Sequence, residues 1–139
     1  KVSKLNCDIP KGRSKEDFWR EQRYSFFDKE REGRSLITCH HLDDVVETWV
    51  FSSLKGSSRL IPYSRDYIIR PFLLNKKSIL LEWSNRNNVE YIQDETNFNC
   101  DFDRNFIRNK MMKDVLHINP GIHKVLKKKL VNKWKGYDV

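Results

Sequence analysis

Thr38-Cys39-His40-His41-Leu42-Asp43-Asp44-Val45-Val46-Glu47-Thr48 is the stretch on which the reading of this chain turns. Before it, residues 35–39 form a short β-rich run that reads as a buried parallel strand. After it, Val45, Val46, Trp49, Val50 and Leu54 recur at helical spacing. The pattern predicts a helix from His40 to about Leu54, stopped by Lys55-Gly56-Ser57-Ser58. On that helix His40, Asp43, Asp44 and Glu47 fall on roughly one side of the first turns. In parallel α/β folds the carboxyl ends of the strands form the ligand crevice, so these side chains are expected to face it.

Taken alone, the segment leaves its chemistry open. Aspartates in a first helical turn complement the macrodipole without further duty. A carboxylate pair beside histidine can equally hold Mg2+, directly or through water. The surrounding elements narrow the choice. Residues 2–6 alternate as a short strand, and residues 7–13, with Pro10 and Gly12, read as a loop. Ser14 then begins a helix with Asp17 as capping-box partner. Phe18, Trp19, Tyr24, Phe26 and Phe27 supply its buried face, and Gly33 ends it. Arg20 and Arg23, three apart, are neighbours on its surface.

Downstream, residues 67–72 read as a strand closed by Pro71. Asn75 is expected to cap a helix through Ile79, Leu80, Leu81 and Trp83 that ends at Asn87-Asn88. Residues 89–92 read as extended, 93–102 as a polar loop and 103–116 as a helix. Asn119-Pro120 places an N-cap before a proline at the first position of a final helix. Strands alternating with helices argue for an α/β domain with parallel strands and a basic helical end, divided as residues 1–118 and 119–139.

The 139 residues are enough for one compact domain. A hydrophobic content of 38% with 12% aromatics excludes a disordered polar chain. The net charge of +8 would attract a polyanion, nucleic acid or an anionic membrane face, and fits a soluble domain that happens to be basic equally well. Cys7, Cys39 and Cys100 are odd in number and far apart, which speaks against a zinc finger or a disulfide framework. Reduced thiols in a cytoplasmic compartment fit that usage. There is neither an apolar run of membrane-spanning length nor a signal-peptide pattern, and no membrane partner is expected.

With these residues in view, the opening segment resembles the TAHHxDDQxET signature of the PP-loop ATP pyrophosphatase family, as found in the tRNA(Ile)-lysidine synthetases. Cys39 stands in place of the signature's Ala, and Val45 in place of its Gln. Lys55-Gly56-Ser57 is similar to the family's RGSG turn, with Ser58 replacing the second Gly. Arg70-Pro71-Phe72-Leu73 resembles RPLL, Asp94-Glu95-Thr96-Asn97 matches D-x-S/T-N, and Arg104-Asn105-Phe106-Ile107-Arg108 matches RNxIR. Upstream, Arg20-Glu21-Gln22-Arg23-Tyr24 is similar to ARxxRY. The motifs stand in family order over about residues 14–121, a far more specific signal than any one of them.

The family also carries an SGGxDS loop on its first strand that cradles the ATP pyrophosphate. These 139 residues contain no such loop and no Gly-Gly pair. Two readings follow: a piece of a longer protein, which the Lys1 start favours, or a reduced relative that has lost ATP binding. The expected fold is therefore the C-terminal part of a Rossmann-like PP-loop ATPase domain followed by basic helices.

The resemblance implies ATP and Mg2+ as cofactors, with tRNA(Ile) and free L-lysine as partners. The wobble cytidine of a CAU anticodon is adenylated at its carbonyl oxygen, and the amine of lysine then displaces AMP to give lysidine. It implies Asp44, Glu47, His41 and Arg20 in catalysis, with Asp44 and Glu47 also facing the metal. His40, His41, Arg20 and Arg23 would line the nucleotide site. Arg70, Asp94, Asn97, Arg104, Asn105, Arg108, Lys127 and Lys128 would engage the tRNA. A homodimer and a cytoplasmic location are expected as well. Two alternatives stay open, a PP-loop tRNA thiolase using sulfur as nucleophile and a non-catalytic tRNA-binding remnant. The carboxylates and arginines also have structural readings, as helix-cap groups and solvated helix faces.

Overall fold

The structure, a computed structural model, describes residue 12, residues 15–92 and residues 102–135. The expected strand at 2–6, Ser14 and the Asp94–Asn97 turn lie outside these. The chain forms two units, residues 1–36 and 37–139, each treated by itself.

In the first unit, α1 (Lys15–Glu30) is the aromatic-rich helix anticipated above. Phe18 is buried and meets Trp19 edge-on at 5.5 Å, while Tyr24 meets Phe27 at 6.2 Å. The helix stops where Glu32 (φ 51°) and Gly33 (φ 79°) turn left-handed, a conformation that a glycine adopts without steric cost.

β1 (Leu36–Ile37) leads into the second unit, where α2 (Leu42–Leu54) is the central helix. β2 (Ser64–Arg65) and β3 (Ile68–Ile69) form an antiparallel hairpin, and the sheet order is β1-β3-β2. Two expectations change here. The strand foreseen at 67–72 is present as β3 but is shorter and forms the second arm of a hairpin, because Asp66 takes φ 53° and turns the chain between Arg65 and Ile68. The strand at 35–39, foreseen as buried, leaves Ile37 63% exposed, since β1 is an edge of this sheet.

α3 (Lys77–Arg86) starts later than Asn75 predicts. Asn75 instead accepts the Leu42 N–H at 2.8 Å through its backbone oxygen. At its far end Asn88 (φ 51°) closes a Schellman motif, with Asn88 N–H to Asn85 O at 3.3 Å and Val89 N–H to Ser84 O at 2.9 Å. Gly56 closes α2 in the same way, its N–H reaching Ser53 O at 3.0 Å and the Ser57 N–H reaching Ser52 O at 2.7 Å.

The helix expected at 103–116 is continuous but not uniform. α4 (Asp103–Phe106) passes through a π-helical turn (Ile107–Met111) into α5 (Met112–Ile118). Ile107 and Met112, five residues apart, are both buried in one core. That spacing suits the i→i+5 closure of a π turn, whereas an α-helix would turn them well apart.

α6 (Ile122–Lys135) begins two residues after Pro120. Asn119 caps a turn rather than the helix itself, its Oδ1 accepting the Gly121 N–H at 3.1 Å. Ile122, Leu126 and Leu130 of α6 pack with Leu42, Val45, Val46 and Val50 of α2, Leu73, Ile107 and Met112. This core holds α2 and its N-terminus in place. The chain is an α/β domain.

Candidate active site

The start of α2 carries the opening motif, and the backbone there explains each position. His41 is the N-cap residue in extended conformation. Its Nδ1 accepts the Asp44 N–H at 3.3 Å, and Asp44 Oδ2 accepts the His41 N–H at 2.9 Å, a reciprocal capping box. The same Nδ1 lies 3.3 Å from Asp44 Oδ2, a distance that would suit an ion pair. A nitrogen whose lone pair takes an amide proton has none left to donate, so we read the contact as capping. This role suits a histidine in place of the usual Ser or Asp.

Asp44 and Glu47 lie within the protein and share one cation. Arg108 Nε donates to Glu47 Oε1 at 2.8 Å, and Nη2 donates to Glu47 Oε2 at 2.8 Å and to Asp44 Oδ1 at 3.0 Å. The guanidinium thus forks onto one carboxylate and clasps the next turn. The Glu47 bond, with the charges of Glu47, Asp44 and Asp43, raises the Arg108 pKa against the opposing effect of burial. Arg108 sits on the π-helical turn, the kind of irregularity often found at functional sites.

Asp43, the first aspartate of the pair, has a different task. Its Oδ2 accepts the Lys77 N–H at 2.7 Å, capping α3 from a distance, and its Oδ1 accepts from His123 Nε2 at 2.9 Å. Three helix starts meet on this one carboxylate. Burial works against its ionisation, but the Lys77 amide and the His123 ring outweigh it and hold the carboxyl below its usual value.

His40 stands beside this cluster, its Nδ1 2.9 Å from the Thr38 hydroxyl. Burial is the main cause that lowers its pKa; Asp44 opposes, and Arg70, Arg104 and His41 add to the lowering. His40 is therefore neutral near pH 7, while two arginines act on its ring. Arg70 is buried directly after β3, with Nη1 donating to Pro62 O at 3.1 Å. Arg104 reaches Thr48 Oγ1 at 3.4 Å.

Of the residues singled out from sequence, the second unit brings together His40, His41, Asp44, Glu47, Arg70, Arg104 and Arg108. Asn105 is half-buried beside Arg104 on α4. Lys127 and Lys128 are exposed on α6. Arg20 and Arg23 belong to the first unit, where both are exposed and Arg20 lies 5.8 Å from the Tyr24 ring. Asp94 and Asn97 fall outside the described residues. Among the described residues no group of three or more His, Cys, Asp or Glu is arranged to hold a metal. Arg108 occupies the two carboxylates considered for that role. Asp43, Thr38, Thr48 and His123 were not singled out for these contacts. The first three lie inside the quoted motif, whereas nothing in the sequence pairs His123 with a residue 80 positions away.

Comparison with known proteins places these motifs in context. A PP-loop domain model matches residues 1–115. A tRNA(Ile)-lysidine synthase of Thermotoga maritima is 37% identical over 133 residues, covering 87% of this chain and 32% of the relative. The enzyme of that name from Persephonella marina is 42% identical over 110 residues, covering 74% of this chain and 24% of its own length. That of Buchnera aphidicola is 44% identical over 86 residues, with 55% and 19% covered. The chain spans about a third or less of the length of these curated relatives. The matched residues include the whole motif series that builds the carboxylate–arginine cluster, and on that match the chain belongs to the PP-loop domain family.

Proposed function

We propose that this chain is part of an ATP-dependent ligase that joins lysine to the wobble cytidine of tRNA(Ile) bearing a CAU anticodon, through an adenylated intermediate. The observation that carries the reading is the clasp of Arg108 on Asp44 and Glu47 at the start of α2. It links two motifs of the series, and the curated relatives matched over most of this chain are named tRNA(Ile)-lysidine synthase.

The chemistry needs a carboxylate to orient an amine, cations against phosphate charge and a grip on RNA. Asp44 receives the lysine amine, with Glu47 one turn away. Both are oriented by Arg108, which gives up its single bond to Asp44 and keeps its fork on Glu47. Mg2+ takes one or two carboxylates alongside substrate phosphates and water, and Asp44 with Glu47 fit that donor set. When bound, the ion would neutralise phosphate charge. Neutral His40 and the capping His41 line the nucleotide site. Arg70, Arg104, Asn105 and Arg108 engage the tRNA, as do Asp94 and Asn97 by their motif, and Lys127 and Lys128 meet the tRNA backbone. The working protein is a cytoplasmic homodimer.

The test is transfer of labelled lysine to a tRNA(Ile) transcript by the protein that carries this chain, with ATP and Mg2+ present. Asp44→Asn should abolish transfer with melting temperature kept, and undiminished transfer would overturn the assignment. Transfer of sulfur in place of lysine would point to a thiolase.

A further inference from the structure

α6 meets α2 in two ways. Ile122, Leu126 and Leu130 are buried against Val45, Val46 and Val50, and Lys129 lies 5.9 Å from the Trp49 ring. Apolar burial is non-directional, so it secures that α6 docks more firmly than where along α2 it docks. His123 adds a directional contact. It is the second residue of α6 and 7% exposed, and its Nε2 lies 2.9 Å from Asp43 Oδ1. A carboxylate only accepts, so Nε2 donates. The other oxygen, Oδ2, accepts the Lys77 N–H at 2.7 Å. Asp43 is thus gripped from two sides by helix starts that lie 34 and 80 residues away.

The grip falls on the turn that carries Asp44. Asp43 and Asp44 are the second and third residues of α2. First-turn amides lack intrahelical partners, and helix ends fray. Asp43 turns toward α3 and α6 while Asp44 turns toward Arg108, and neither can shift without carrying the backbone of the other. Nor is His123 required to satisfy a stranded charge. The Asp43 side chain is 32% exposed and keeps the Lys77 amide, so water can replace the ring. Buried polar pairs of this kind can define geometry while adding little stability. His123 also lies beyond the residues 1–115 matched by the PP-loop domain model, on the helix that exposes Lys127 and Lys128.

We propose that His123 is a positioning residue for lysine transfer: through Asp43 it fixes the first turn of α2, and with it Asp44, against the helix that meets the tRNA. The inference rests on the reading under Proposed function, in which Asp44 receives the lysine amine and α6 contacts the RNA. A misplacement of about 1 Å remote from the chemistry can cost on the order of a hundredfold in rate.

Steady-state lysine transfer by the protein that carries this chain tests the role. His123→Leu removes the donor, whereas His123→Gln returns an amide N–H near the place of Nε2. His123→Leu should lower kcat by about tenfold or more and leave the KM for tRNA(Ile) within about twofold, and His123→Gln should recover most of the rate. The double variant His123→Leu/Asp43→Asn should be no slower than Asp43→Asn alone, because one residue acts through the other. A His123→Leu protein as fast as wild type overturns the proposal, as do losses that multiply in the double variant. Should His123→Leu fail to fold, His123→Asn, whose amide stops short of Asp43, takes its place. Hydrogen exchange at residues 41–47 and 76–80 reads the same joint without turnover. It should quicken about tenfold in His123→Leu and slow again in His123→Gln, and unchanged exchange there overturns the positioning role. A wild-type protein that transfers no lysine sinks the ligase reading, and exchange then judges the joint alone.

Discussion

Arg108 and Glu47 show how much can hang on one side-chain pair. The Glu47 side chain is 6% exposed, so Arg108→Gln strands a buried carboxylate. The expected loss is about 3–5 kcal/mol of stability, read from the urea midpoint at constant slope. Asp43 and His40 set the pH response. The carboxyl of Asp43 is held below its usual value in the folded state, so its contribution is complete above the unfolded value near 3.8 and is lost as pH falls through the folded one. His40 is lowered from 6.5, so the unfolded chain takes up its proton first; stability is complete above 6.5 and declines as pH falls toward the folded value. Titrating melting temperature from pH 7.5 to 3 should therefore show two declines. His40→Asn should remove the upper one and Asp43→Asn the lower, and a profile unchanged by either would refute the assignment. The helix that carries Asp44 was legible from its apolar spacing, but its cap was not: the expected start at His40 gives way to His41 as N-cap and a first turn from Leu42. Arg108 was read as an RNA contact because its partners lie 61 and 64 residues away, and local spacing carries no trace of such a pairing.

Element boundaries obey the same rule of range. Gly33, Gly56 and Asn87-Asn88 mark helix ends in the sequence because left-handed backbone is a local demand, met by a few residue types. A Cβ at Gly56 would meet no atom within 4 Å, so Gly56→Ala should cost about 1 kcal/mol from backbone strain alone. A thermal melt would check it, and a neutral result would mean that the φ of 79° is not needed to close α2. The start of α3 was misplaced by one residue because its first amide is capped by Asp43, 34 positions earlier, and not by its own Asn75. The π turn escaped notice for a related reason. Ile107 and Met112 look out of phase for an α-helix, and only the shared core shows that both are buried. The Asp66 turn, by contrast, was a local signal that the apolar run after it obscured.

At the scale of the whole molecule, the +8 charge becomes a statement about salt. α6 buries Ile122, Leu126 and Leu130 and leaves Lys124, Lys127 and Lys128 exposed. If Lys127 and Lys128 contact phosphates, Lys127→Gln/Lys128→Gln should flatten the dependence of log K on log salt by roughly 1.4–1.8 for tRNA. Binding measured from 50 to 300 mM KCl would test this, and an unchanged slope would move the RNA contact elsewhere. That α6 is basic and amphipathic was plain from its composition. Which residues lie beneath it was not, since the α2 face it covers is specified some 80 residues earlier.

The Arg108 clasp also bears on the order in which the chain folds. It closes a loop of about 60 residues, whose entropy cost is roughly 3–4 kcal/mol beyond a constant. An ion pair in partly wet surroundings is a poor nucleating contact at that separation, whereas the aliphatic face of α2 can begin collapse without it. The clasp then belongs to the late steps on the native side of the folding barrier. Arg108→Gln should accordingly quicken unfolding in stopped-flow measurements and leave the refolding rate nearly untouched. On a ribosome, both carboxylates of the clasp would emerge long before the cation that tames them.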